Sequence, residues 1–286
     1  MAEPQGNREH KDRLFLKVFE DKEALLSLYN AVNGSDYENP EELEITTLDN
    51  VLYMRMKNDL SFLIDGSLNF YEHQSTFNPN MPLRGCFYMV KVYQEYVERR
   101  QLDIYSSTRL TLPTPRFIVF YNGTDRMKHM PELTLKLSDS FEKQEEEPAL
   151  ECKARVININ YGFNTEIMEK CPKLYEYSFL ISKIREGTAQ GKKLEAAIGA
   201  AIDICIEEGI LTDLLTSYRM EVIGMLLTEY DEERHLKNTY EEGVKKGQKK
   251  GESIGEFRQL YKLIQKNFLT LHDAASANSM TEEQLM

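Results

Sequence analysis

Two carboxylates and a carboxamide fall close together in Ser61–Thr76, SFLIDGSLNFYEHQST: Asp65, Glu72 and Gln74. The stretch reads as two extended runs, Ser61–Asp65 and Leu68–Gln74, joined by a tight turn at Gly66–Ser67. Side chains alternate along a strand, so Glu72 and Gln74 share one face with the apolar Leu68 and Phe70. The hairpin is expected to return Asp65 toward the start of the second run, where strand twist brings it near Glu72. Two carboxylates in an apolar hairpin are costly to bury unless a cation sits between them. The chemistry this suggests is a Mg²⁺ ion, or Mn²⁺ in its place, held by Asp65 and Glu72. Such an ion polarises a phosphoryl oxygen and lowers the pKa of bound water. Gln74 beside it can orient that water by hydrogen bonds but cannot act as an effective base. Aspartate before glycine is also a favoured turn residue, so a purely local role for Asp65 stands beside the metal role.

These residues need a frame. Asp12–Asn33 is helical in pattern, with an interruption at Glu20–Glu23, a fresh cap at Asp21 and a stop at Asn33-Gly34-Ser35. Leu48–Met56 reads as a strand or the approach to one. After a Pro/Asn loop, Leu83–Arg100 is an amphipathic helix carrying Arg84 and Lys91. Arg116–Tyr121, RFIVFY, has the pattern of a strand buried on both faces, ended by Asn122-Gly123. Leu133–Leu137 and Ala154–Asn160 alternate as further strands. From Asn164 the pattern turns helical: Thr165–Arg185, Lys192–Glu208, and one or two helices in Leu211–Glu229. The expected architecture is an α/β core over residues 1–163, a helical region over 164–240 packed on it, and a tail over 241–286. In the tail, Gly243, Gly247, Gly251 and Gly255 recur every fourth residue. They mark either a flexible linker or a helix with a glycine stripe suited to self-association into a homo-oligomer. Two short helices are expected around Ser276-Ala277-Asn278.

Composition narrows the classes. At 286 residues with 41% apolar content, the chain is long and apolar enough for a full core. No run of about 18 apolar residues occurs, so no membrane span is expected. The polar opening MAEPQGNREHKDR has no apolar signal core, and the expected location is the cytoplasm. Four scattered cysteines without a C-x-x-C pair argue against a zinc site and fit reduced core thiols. A net charge of −12 argues against a broadly basic nucleic-acid surface, so contacts to DNA would have to be local.

Glu72-His73-Gln74-Ser75-Thr76, the Pro/Asn loop and Met81-Pro82-Leu83-Arg84 resemble the recombination-promoting nuclease family, also catalogued as transposases of PD-(D/E)XK type. Lys11–Phe19 resembles the family's opening helix, and Phe120-Tyr121-Asn122-Gly123 its Tyr-Asn-Gly strand end. The resemblance implies a restriction-endonuclease-like core, a central mixed sheet flanked by helices, with a helical C-terminal extension. It also implies Mg²⁺-dependent endonucleolytic hydrolysis of DNA linked to recombination. Asp65 and Glu72 would be metal ligands, and Gln74 would stand where the wider superfamily has lysine. An acid of the first helix, Glu20 or Glu23, would complete the site. Arg84 and Lys91 are the candidate phosphate contacts. Arg84 could equally pair with a nearby acid, and Lys91 could belong to a solvated face with Arg99 and Arg100.

Overall fold

The strand that carries Glu72 is buried along nearly its whole length because it is paired on both sides. The computed structural model describes residues 14–46, 60–124, 126–266 and 268–277. In chain order these form α1 (Leu14–Val18), α2 (Lys22–Asn33), β1 (Glu44–Ile45), β2 (Leu60–Ile64), β3 (Ser67–Gln74), α3 (Met81–Arg99) and β4 (Thr114–Tyr121). There follow β5 (Glu132–Lys136), β6 (Lys153–Asn158), α4 (Thr165–Lys170), α5 (Pro172–Ala189), α6 (Leu194–Glu207), α7 (Thr212–Ser217), α8 (Arg219–Gln265) and α9 (Leu271–Ala277). The chain divides into two compact units, Met1–Tyr230 and Asp231–Met286. The strand expected over Leu48–Met56 lies outside the described residues.

The first unit is built on a six-stranded mixed sheet of order β1-β2-β3-β4-β6-β5. β3, β4 and β6 run parallel, while β1, β2 and β5 pair antiparallel with their neighbours. Parallel neighbours need a crossover, and α3 supplies it between β3 and β4. The carboxyl ends of β3, β4 and β6 therefore lie at one edge.

Each face of the sheet has its own core. Leu68, Phe70, Phe117, Val119 and Val156 pack with Met81, Tyr88 and Val92 of α3. On the other face Phe62, Tyr71, Phe120 and Ile157 pack with α1, α2, α4 to α7 and the first turns of α8, through Val222 and Leu226. Helices on both faces bury both sides of the central strands, which is why their sequences run apolar rather than alternate. The edge strand β5 does alternate, with Leu133 and Leu135 turned inward.

Local chemistry explains the element ends. Asp21 caps α2 by accepting from the Ala24 N–H at 2.9 Å, and Gly34 at φ 67° closes it. The helix expected over Thr165–Arg185 is two helices. Pro172 restricts Cys171 to φ −128°, ψ 87°, and the Cys171 N–H closes α4 on the Ile167 carbonyl. The glycine-repeat segment is helical, within α8, and a Cβ on any of its four glycines would meet nothing within 4 Å. Among the described residues no helix is long and apolar enough to cross a membrane.

One glycine sets how closely α3 lies on the sheet. A Cβ on Gly85 would stand 2.3 Å from the Phe117 ring. Gly85→Ala is expected to lower the unfolding free energy by about 1–2 kcal/mol, overpacking outweighing the helix-propensity gain. Gly199→Ala in α6, where a Cβ meets nothing within 4 Å, should be neutral or stabilising. Urea unfolding of both variants checks this; equal effects would mean that α3 does not rest on β4 through Gly85.

Candidate functional site

Glu72 has the same parity on β3 as Leu68 and Phe70, so its side chain is on the α3 face of the sheet. The carboxylate is only 2% exposed, and its Oε2 lies 3.2 Å from Nη2 of Arg84. Arg84 is in the first turn of α3, which starts at Met81 with Pro82 in the opening positions, where a missing N–H costs nothing. One turn on, at the i+4 spacing, Tyr88 accepts from Arg84 Nε at 3.2 Å and Nη2 at 2.7 Å. The guanidinium is 36% exposed at its outer side. Gln74 sits against the sulfur of the fully buried Met81, which is also 3.5 Å from Arg84 Nη1. Glu72, Gln74 and Arg84 thus come together, with Met81 and Tyr88 holding them.

Asp65 does not join them. Ile64 pairs with Ser67, so the two-residue turn is Asp65-Gly66, and Glu72 lies five residues along β3 from Ser67. At about 3.3 Å per residue that is roughly 16 Å of strand. Asp65 is at the opposite end of the hairpin from Glu72, exposed and in the left-handed region at φ 44°. There it accepts a hydrogen bond from the Tyr37 hydroxyl at 2.5 Å. The expected convergence on one ion is corrected by the register: alternation sets the face of a strand, but the count from the turn sets the end. Asp65 and Glu72 do not fit a shared Mg²⁺ or Mn²⁺. Among the described residues no group of three or more His, Cys, Asp and Glu is placed to hold a metal.

Lys91 lies two turns along α3 from Arg84 and pairs with Glu95 at 3.5 Å, in an exposed i,i+4 pair of the kind that contributes little. Glu20 is exposed and pairs with Lys17 at 2.9 Å, and Glu23 is exposed on α2. His73 points to the opposite face, as expected, and is fully buried. Its Nε2 is 2.9 Å from the Tyr177 hydroxyl and its Nδ1 is 3.5 Å from Glu229, while Phe15 stacks on the ring at 4.8 Å.

The same edge holds Asn122 and Gly123, read from the sequence only as a strand end, and Arg185, which the sequence did not single out. Asn122 donates its side-chain amide to Tyr177 at 3.0 Å and its backbone N–H to the Gln74 carbonyl at 3.0 Å. A Cβ on Gly123 would stand 2.3 Å from the Ser75 carbonyl oxygen, so the chain must be bare there. Arg185 of α5 donates to the Asn122 carbonyl and to Asn160 Oδ1. These links span 25 to 63 residues of chain and leave no local pattern. One signal was readable. Counting outward from a two-residue turn, the sequence position answering to Glu72 is Asp59, an acid that adjoins Leu60 and lies outside the described residues.

Comparison with protein-family models, with curated proteins and with solved structures finds no match to this chain.

Two outcomes follow from this geometry. Removing Arg84 leaves a carboxylate withdrawn from water without its guanidinium. Arg84→Leu is expected to cost about 1–3 kcal/mol, and adding Glu72→Gln should recover most of it. Denaturant unfolding of the four members of this cycle measures the coupling, and additive losses would refute it. At the other end, the Asp65 hydrogen bond, then burial, pushes the Tyr37 phenol up to about 12 from 10.0. The folded state therefore holds this proton more tightly than the unfolded chain. The contribution is complete below pH 10.0 and is lost as pH rises toward about 12. The stability difference between the wild type and Tyr37→Phe should shrink across that window. A constant difference would show that the bond does not govern Tyr37.

Proposed function

We propose that the chain is a metal-dependent endodeoxyribonuclease with a restriction-endonuclease-like core, hydrolysing phosphodiester bonds in recombination or mobile-element biology. The supporting observation is Glu72, a carboxylate 2% exposed at the carboxyl edge of parallel strands, the edge where ligands of open α/β sheets bind. The residues that carry the family resemblance, Glu72 to Arg84, are the ones gathered there. Glu72 is the proposed metal ligand. Asp59 takes the place of Asp65 as the second carboxylate, because it adjoins Leu60, whose partner Tyr71 precedes Glu72. Mg²⁺ or Mn²⁺ bound here would supply Lewis-acid polarisation of the scissile phosphate and an acidified water.

The chain's own groups have distinct parts in this reading. Arg84 sets its guanidinium 3.2 Å from the Glu72 carboxylate and offsets its charge. Its guanidinium, 36% exposed, is placed where a phosphate oxygen of DNA can approach it. Gln74 holds a water by donating and accepting but takes no proton from it. Tyr88 fixes the guanidinium plane through two hydrogen bonds.

The Glu72–Arg84 ion pair favours a second reading, a nuclease-fold module that binds DNA or protein without turnover, since a guanidinium already answers the carboxylate. Plasmid cleavage with Mg²⁺ or Mn²⁺ separates the two. Glu72→Ala and Asp59→Ala are expected to lose at least about 100-fold in rate, the scale of removing a catalytic group. Asp65→Ala should stay within a few-fold of wild type. Undiminished cleavage by Glu72→Ala would sink the site. A wild type that binds DNA without cutting it in either metal would establish the second reading.

A further inference from the structure

The carboxyl edge has a second side. On the face covered by α5, away from Glu72, a cavity of about 360 Å³ lies between that helix and the chain leaving β4 and β6. Asn122, Asn160, Tyr161, Ser182 and Arg185 are among its lining residues. Arg185 spends one N–H on the Asn122 carbonyl and one on Asn160 Oδ1, both neutral oxygens. A guanidinium has five N–H donors, so three remain. Glu186 also lines the cavity, and its carboxylate pairs with Lys183 at 2.9 Å rather than with Arg185. Among the described residues Arg185 forms no ion pair. Asn122 is 3% exposed, and its side-chain oxygen is buried with no hydrogen-bond partner among the described residues. The cavity is thus lined by a cation that forms no ion pair among the described residues and by an asparagine whose side-chain oxygen is unmet among them. Tyr161 at its rim is 48% exposed, a flat apolar face beside the charge.

We propose that this cavity binds a terminal phosphate group, free or on a nucleotide. Phosphate oxygens accept the remaining guanidinium N–H groups, the fork geometry that makes arginine the usual phosphate partner. A singly protonated phosphate also carries the O–H donor that the Asn122 oxygen lacks. A sulfate has no such proton, and a neutral ligand leaves the guanidinium uncompensated. The site uses none of the residues assigned to phosphodiester hydrolysis and stands or falls separately from that activity.

The test is calorimetric titration of the full chain with inorganic phosphate, 5′-AMP and adenosine at constant ionic strength. Phosphate and AMP are expected to bind, and adenosine not. Tighter binding of AMP assigns the group to a nucleotide, and equal binding assigns it to free phosphate; either supports the site. Arg185→Gln should weaken both by about tenfold or more. Arg185 also ties down the Asn122 carbonyl, so a second variant guards against misfolding. Ala189→Glu, at an exposed lining position of α5, sets a carboxylate at the mouth and should weaken phosphate several-fold. Adenosine binding as well as AMP, phosphate failing to bind, or phosphate affinity unchanged in Ala189→Glu would overturn the proposal.

Discussion

A carboxylate on the central strand of a sheet has to be answered by a cation, and the start of α3 is shaped to deliver one. Withdrawing an ion from water costs several kcal/mol, and a partner repays this only with good geometry. Arg84 meets Glu72 because three neighbours fix the helix. Met81 is fully buried at its first turn, Gly85 lets it approach the Phe117 ring, and Tyr88 is buried while bonding the guanidinium. A slip of one residue would turn the arginine by about 100° and point it away from the strand. The length of the Ser75–Asn80 loop, the proline in the first turn and the glycine in the second are therefore parts of one constraint. That constraint also locates Gln74, whose carboxamide rests on the same Met81.

How much of this was legible in the sequence depends on the range of the interaction. The hairpin, the α3 helix and strands β4, β5 and β6 were readable from periodicity, because alternation and the 3.6 repeat are local. So was the side of β3 that Glu72 faces. Which end of the hairpin an acid occupies is a different question, answered by the turn. Placing the turn at Gly66–Ser67 rather than Asp65-Gly66 hid the fact that Asp65 is the turn itself. Pro172 announced a break that the apolar run across it masked. The glycine repeat could have been linker or helix by propensity, since each glycine costs about 0.5–1 kcal/mol in a helix. The Asn122–Tyr177–His73–Glu229 chain was out of reach, for its members come from β3, the end of β4, α5 and α8 and meet only in the folded core.

The carboxyl edge is stiffened by amides rather than by salt bridges. Asn158 donates to the carbonyls of Met127 and Met130, Asn160 to that of Gly123, and Asn164 to those of Pro131 and Asn158. These bonds tie the loop carbonyls of this edge to side-chain amides, in places beside a backbone N–H that shares the same oxygen, as at Pro131. The result is an edge whose loops are pinned largely by neutral amides, with Arg185 adding its bonds to the Asn122 carbonyl and Asn160. Arg84 and Arg185 approach it from opposite faces of the sheet, one from α3 and one from α5.

That division matters in a chain of net charge −12. Its average field repels anions, so any phosphate ligand has to be drawn by cations that its own acids leave available. Exposed lysines do not qualify when they are matched along their helices, as Lys17 is by Glu20, Lys91 by Glu95, Lys170 by Glu166 and Lys183 by Glu186. Distant acids matter less, because charges beyond about 8–10 Å are screened at physiological salt. What counts is the balance within that radius. Arg185 is held by neutral oxygens, and Arg84 meets the buried Glu72 carboxylate while keeping an exposed side. On the proposed readings, such a protein would meet phosphate where a loop edge presents a guanidinium rather than across its acidic surface. Selectivity for an anionic ligand would then come from the placement of individual arginines rather than from net charge.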